Sequence, residues 1–376
     1  LKTFSPMQIA LTGASGRIGN VVVRQLLAAG HRLRVLQRRD NVSLAGLPVE
    51  TPLTASGNRH VYHVYALLTD RRRTVERHRT LDGVIAWSFD ACTPHEQRTL
   101  CRLGVFAGPF TLAAGEAVAE GTDAVDAIAE LVDRSLLVRT AGRFRMLEPI
   151  RQFTTRRLDE AEARAARARH LAAMCDRLGL DHAGLAGPDE ARWVGELDLD
   201  WADVRVAVRH ALEADQASAA TSMAVHLAGE AFARRPEAFA WIDEIGRRYG
   251  DVDGPLRAAV LGAASQAAWT TLDMARAVEL GERALAAEAV AGSSFDFLPQ
   301  AGAIGAYNFS GQAERAVATC RRALEESDAS LSMRARSWLW SSLALSCSIA
   351  GDPDAETAAR RAVEYGERSG NPSTLG

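Results

Sequence analysis

Gly13-Ala14-Ser15-Gly16-Arg17-Ile18-Gly19 has the residue types and spacing to hold a phosphate. Gly13 permits a tight turn, Gly16 lets backbone approach an anion, and Gly19 allows close helix packing. The N–H groups at Arg17 and Ile18 open a helix and are free to face negative charge. Ser15 is not a hydrolase nucleophile, because an elbow needs glycine two residues after the serine and Gly16 comes one after. His60 and His63 form an HxxH pair with no acid or cysteine close in sequence, so surface or strand histidines are expected there and no metal site. The five cysteines (Cys92, Cys101, Cys175, Cys320, Cys347) are scattered and make no CxxC pair, so neither a disulfide framework nor a structural zinc site is expected. Lys2 is the sole lysine among 44 basic residues. A GxxxxGK[ST] phosphate loop and a Tyr-x-x-x-Lys proton-transfer pair are therefore both ruled out.

The elements that must position these residues follow from length and pattern. A chain of 376 residues, 47% hydrophobic and 24% charged, has material for two to three globular domains. No run is long and apolar enough for a transmembrane helix, and no signal-peptide pattern opens the chain, so no membrane partner and a cytoplasmic location are expected. Leu1 in place of Met, with Met7 shortly after, points to an upstream extension or an incomplete chain. Residues 1–79 carry thirteen basic and four acidic side chains, net +9, against −12 for the remainder. That asymmetry suits a nucleotide, nucleic acid or acidic partner near the N-terminus.

Gln8–Thr12 reads as a strand, 20–29 as a helix stopped by Gly30, and Leu33–Leu36 as a second strand. Residues 41–59 read as loop, and Val61–Tyr65 as a third strand. Residues 80–91, 94–106, 111–120 and 124–134 read as short helices, with Thr93, Pro94 and Glu96 forming a capping-box pattern. Strands at Leu136–Arg139 and Arg143–Met146, joined by Thr140-Ala141-Gly142, lead into a helix from about Pro149. Helices followed by such a hairpin describe a winged helix. Beyond residue 166 the chain is alanine-rich and helical. Ala277, Ala316 and Ala355 lie 39 apart, as do Arg283, Arg322 and Arg361, a period that indicates helix-hairpin repeats of tetratricopeptide type.

Two resemblances follow. Residues 7–65, with MQIALTGASGRIGNVVVRQLLAAGHRLRVLQRR and its TGxxGxxG core, resemble the start of the extended or atypical short-chain dehydrogenase/epimerase family. The resemblance implies a Rossmann-like fragment that binds NAD(P) through Gly13, Ser15, Gly16, Arg17, Ile18 and Gly19. Arg38 follows the second strand, where arginine suits a ribose 2′-phosphate, so NADP is the expected cofactor. Residues 74–376 resemble bacterial STAND-type regulators, often of LuxR or SARP type. The matching text is VERHRTLDGVIAWSFDACTPHEQRTLCRLGVFAGPFTLAAGEAVA, LVDRSLLV and GRFRMLEPIRQFTTRRL, followed by ARWVGELDLDWADVRVAVRHALE. It implies an ATPase core, a winged helix and tetratricopeptide repeats, yet no Walker A motif precedes it here.

The expected fold is mainly α, in three parts: a truncated Rossmann-like fragment over 1–70, a winged helix over 71–165, and tetratricopeptide-like repeats over 166–376. The expected function is non-catalytic regulation through a protein or peptide partner on the repeats, with a dinucleotide sensor or vestigial dehydrogenase as the alternative. Seven arginines between Arg134 and Arg157 (134, 139, 143, 145, 151, 156, 157) stand against one acid, Glu148. They allow DNA binding but suit a solvated or interdomain face better. The tryptophans at 87, 193, 201, 241, 269, 338 and 340 are expected to pack between helices, with a peptide groove as the alternative.

Overall fold

A computed structural model of the protein describes residues 8–12, 27, 32–36, 49–50, 82–121, 123–291, 297–326 and 331–374. The chain divides into two compact units, Leu1–Val105 with Phe110–Ala163, and Phe106–Pro109 with Arg164–Gly376.

In the first unit β1 (Gln8–Thr12), β2 (Arg32–Leu36) and β3 (Val49–Glu50) form a parallel sheet in the order β1–β2–β3. Ile9 lies opposite Leu33, and Leu33 opposite Val49. The expected strand at 61–65 lies outside the described residues. Val49 and Glu50, expected in a loop, are strand instead. Two residues carry no alternation to signal a strand, so only the ladder beside β2 reveals it.

The same unit continues with helices α1 (82–90), α2 (Pro94–Leu103), α3 (Leu112–Ala119) and α4 (Ala124–Asp133). A hairpin of β4 (Val138–Thr140) and β5 (Arg143–Arg145) follows, then α5 (Glu148–Thr155). The Thr93 hydroxyl accepts from the Glu96 N–H at 3.2 Å, and the Thr93 N–H donates to the Glu96 carboxylate at 2.9 Å. That reciprocal cap fixes where α2 begins. Ala141 and Gly142 both have positive φ, at 51° and 80°, the backbone a two-residue hairpin turn requires. Phe110 adds a third strand position by exchanging two 2.8 Å backbone hydrogen bonds with Phe144. Leu100, Leu103, Ile128, Leu131 and Phe153 are buried within this unit.

The second unit is a helical-repeat array. Its helices are α6 (Glu160–Leu185), α7 (Glu190–Glu213), α8 (Ala217–Ala233), α9 (Ala238–Tyr249) and α10 (Arg257–Thr270). They continue with α11 (Met274–Ala291), α12 (Leu298–Phe309), α13 (Ala313–Glu326), α14 (Met333–Ala350) and α15 (Ala355–Ser369). Hairpins α8–α9, α10–α11, α12–α13 and α14–α15 stack in sequence. Three hairpin turns share one geometry, which the α7–α8 connection also adopts at Asp215 and Gln216. Leu272, Gly311 and Gly351 are left-handed. The next residues, Asp273, Gln312 and Asp352, donate to the carbonyls of Ala268, Tyr307 and Cys347. This is the helix stop that satisfies orphan carbonyls.

The repeat register differs from the expected one in its last copy. Ala277 and Ala316 are fully buried, but the equivalent residue of α15 is the buried Ala358, and Ala355 is half-buried. The helices α11 and α13 start two residues after the left-handed turn residue, whereas α15 starts four after it. Pro353 and Asp354 occupy the added space, so the strict 39-residue period ends there. Gly262 on α10 and Gly302 on α12 bring two backbones into contact: a Cβ on Gly302 would lie 2.3 Å from the Gly262 carbonyl oxygen. As a result α10 is buried from Ala258 to Ala268, unlike a surface helix.

Candidate functional site

The residues expected to hold a dinucleotide, Gly13, Ser15, Gly16, Arg17, Ile18, Gly19 and Arg38, lie outside the described residues, as do His60 and His63. Among the described residues no group of three or more His, Cys, Asp or Glu could hold a metal ion. Among them, too, no helix is long and apolar enough to cross a membrane.

The arginines of the first unit are largely engaged by their own chain. Arg134 pairs with Glu96 at 3.4 Å, and Arg156 with Asp82 at 3.3 Å. Arg151 makes two 2.8 Å bonds to Glu148, whose carboxyl is thereby held below its usual range. Arg157 stacks 3.4 Å above the Phe153 ring, Arg139 lies over Phe144, and Arg143 is buried. Arg145 is exposed. In a winged helix α4 would be the helix that reads DNA. Its outward positions here are Asp126, Glu130 and Asp133, with Asp123 at its start, and no basic residue lies within it.

In the array the exposed feature is aromatic. Phe232, Trp269 and Phe309 stand at or near the C-terminal ends of α8, α10 and α12. The Trp269 ring meets Phe232 edge-on at 5.8 Å and stacks on Phe309 at 5.0 Å. Phe232 and Phe309 are 59% and 58% exposed, so large apolar faces meet water in a row. Gly305 lies beneath the Trp269 indole, where a Cβ would come within 2.8 Å of Nε1. Trp201 packs in the interior as expected, whereas Trp87 is 68% exposed, contrary to a core role.

Three buried polar clusters hold the array's first helices. Asp203 of α7 accepts from the N–H groups of Ala107 and Gly108, at 2.8 and 3.0 Å, and faces His170 Nε2 of α6 at 3.1 Å. The Phe106 ring meets the His170 imidazole edge-on at 5.0 Å. Arg177 of α6 reaches Asp200 and Glu196 of α7 at 2.8 and 3.0 Å, and Asp181 on its own helix. His182 of α6 and His226 of α8 meet at 5.4 Å. Burial, then His226, then the Arg334 charge on α14 push the His182 imidazole down to about 4. Sequence reading missed all three clusters. Each joins residues on different helices, with no local motif to mark them.

No protein-family model matches the chain. Over 108 residues it is 37% identical to a protein of Mycobacterium tuberculosis provisionally named an HTH-type transcriptional regulator, a match covering 26% of this chain and 12% of that protein. A Mycobacterium bovis protein with the same provisional description matches equally. An uncharacterized Mycobacterium tuberculosis protein is 31% identical over 155 residues, covering 36% of this chain and 39% of its own. The chain thus spans 12% of the length of the curated regulators it matches. Among solved structures, it is similar to a STAND protein with a tetratricopeptide repeat sensor from Pyrococcus horikoshii. That TM-score is 0.48 at 11% identity, covering 78% of this chain and 47% of the other.

Proposed function

We propose that the protein is a non-catalytic regulator of STAND type, acting through a protein or peptide partner on tetratricopeptide-like repeats. The observation that carries this reading is the row in which the exposed Phe232 and Phe309 flank the half-buried Trp269. Aromatic side chains left in water at the ends of successive repeat helices gain most by being covered by another chain. The provisional naming of the 37% identical mycobacterial protein as a transcriptional regulator supports the regulatory part of the reading. The winged helix serves in this reading as a packing module, because the carboxylates of α4 repel phosphate. A photo-crosslinking residue at Phe309 tests it, with one at the exposed Val363 of α15 as control. A discrete adduct at Phe309 that is lost in Trp269→Ala is expected. Equal labelling at both positions would sink the reading.

A second reading, dinucleotide binding by the N-terminal segment, rests on the parallel order β1–β2–β3. In a parallel sheet a phosphate-binding turn belongs at the carboxyl ends of the strands. Calorimetric titration with NADPH tests it. Saturable heat in the micromolar range, abolished by Gly16→Asp, is expected. Absence of heat from the unmodified chain leaves the repeats as the functional part.

A further inference from the structure

The residues after α15 return to the beginning of the array. Gly370 ends α15 in the left-handed conformation, and Asn371, Pro372, Ser373 and Thr374 follow as a short strap. Asn371 is completely buried. Its Nδ2 donates to the carbonyls of Leu185 and Gly187, both at 2.8 Å. Those carbonyls belong to the last turn of α6 and the loop just after it, groups a helix end leaves unpaired. The strap therefore caps α6 from 186 residues away.

The second bond of the strap is to α7. Glu190, its first residue, is 3% exposed. Its carboxylate accepts from the Ser373 N–H at 2.9 Å and from the Ser373 hydroxyl, and it pairs with Arg234. Burial alone would raise the Glu190 carboxyl, but the bonds from Ser373 and Arg234 outweigh it and hold it below its usual value. Arg234 is also bound to Glu230 at 2.7 Å, which links the end of α8 to the same point. The strap is folded on itself as well, since the Thr374 hydroxyl donates to the Asn371 carbonyl at 2.7 Å and contacts the Ser369 hydroxyl at 2.9 Å.

We infer that residues 370–374 are a releasable latch that holds the last hairpin of the repeat array to the end of α6 and the start of α7, and that their release opens the array. Two features make it a latch and not merely a segment packed in place. Its bonds are polar, so water takes them up once the segment lifts and offsets part of their loss. They also join elements from opposite ends of the unit, so breaking them leaves each hairpin stack intact. The inference rests on the reading of the repeats as an interaction array only for its purpose. The latch itself is a property of the fold.

The test uses the full chain and three variants: Asn371→Ala, Ser373→Asp and Ser373→Asp with Glu190→Gln. Ser373→Asp sets a second carboxylate against Glu190, and Glu190→Gln replaces that repulsion by an amide that donates. Hydrogen exchange is read at 185–190 and 371–374 and within α10–α13, and the radius of gyration by solution scattering. For Asn371→Ala and Ser373→Asp, exchange at both ends of the latch is expected to rise at least tenfold. Exchange in α10–α13 stays unchanged and the radius of gyration grows. The double variant returns both readings towards the unmodified values. Faster exchange confined to 371–374 with unchanged dimensions would overturn the inference. So would a uniform rise across all helices, which marks a plain stability element. No partner enters these readings, so they stand or fall separately from the crosslinking result at Phe309.

Discussion

At the scale of single residues, the strongest commitments are buried charges that the fold has surrounded with donors. Asp203 accepts two backbone N–H groups and faces His170 while almost fully buried. Asp203→Ala strands those donors, so a loss of about 3 kcal/mol in unfolding free energy is expected from urea titration. A loss below half that value would mean the donors find water. His182 sets a pH limit on the same array. The unfolded imidazole takes a proton near 6.5, while the folded one resists until about 4. Its folded value is depressed, so the unfolded state binds more protons between these limits. Stability therefore falls as pH drops through that window, by on the order of 3 kcal/mol. Melting curves at pH 7 and 4.5 check this, and His182→Gln should shrink the difference. Neither residue was legible in the sequence, because Asp203 meets partners 33 and 95 residues away. A lone Asp on an amphipathic helix gives no sign of such partners.

At the scale of elements, local chemistry was legible wherever it was self-contained. The Thr93–Glu96 cap, the Ala141-Gly142 turn and the helices around them sit where residue type places them. The repeat period was legible through two copies and lost in the third, where the left-handed turn residue comes one position later and Pro353 and Asp354 delay α15 by two more. The α8–α9 hairpin escaped the period altogether. Its turn runs through Arg234-Arg235-Pro236, with Arg234 at φ −141°, and has no left-handed residue to match the others. Two substitutions of opposite sign test what the turns and crossings demand. Leu272 holds φ +64° where the next two repeats use glycine, and its side chain is 82% exposed. Leu272→Gly removes left-handed strain and little packing, so a gain of about 0.5–1 kcal/mol is expected. Gly302→Ala drives a Cβ against the Gly262 carbonyl oxygen, with backbone on both sides. A loss of about 2–3 kcal/mol is expected there, because neither helix can yield without moving the other. Calorimetric melting of both variants against the unmodified chain reads the two signs together.

At the scale of the whole molecule, charge decides which partners are admissible. The chain carries net −3 overall, and its excess of basic residues lies in the first 79. The hairpin segment looked basic in sequence, with seven arginines against one acid. What the sequence could not show is where each guanidinium goes. Arg134, Arg151 and Arg156 are paired with carboxylates and Arg143 is buried, while Arg139 and Arg157 lie over aromatic rings with their charge still exposed. The helix that would enter a major groove instead presents Asp126, Glu130 and Asp133. Duplex DNA is bound through released counterions, one for each phosphate that meets an unpaired cation. This surface has few such cations and several carboxylates to repel phosphate. Fluorescence anisotropy with a labelled duplex is therefore expected to show, above about 100 mM salt, no saturable binding that depends on this segment. The triple change Asp126→Arg, Glu130→Arg and Asp133→Arg should create binding that weakens steeply as salt rises, since it supplies cations where the carboxylates stood. The unmodified chain would have to bind with a log–log salt slope near −4 or steeper for direct DNA reading to displace a packing role. A slope that size requires about four to five phosphates neutralised at once, more than the exposed Arg139, Arg145 and Arg157 of this segment supply.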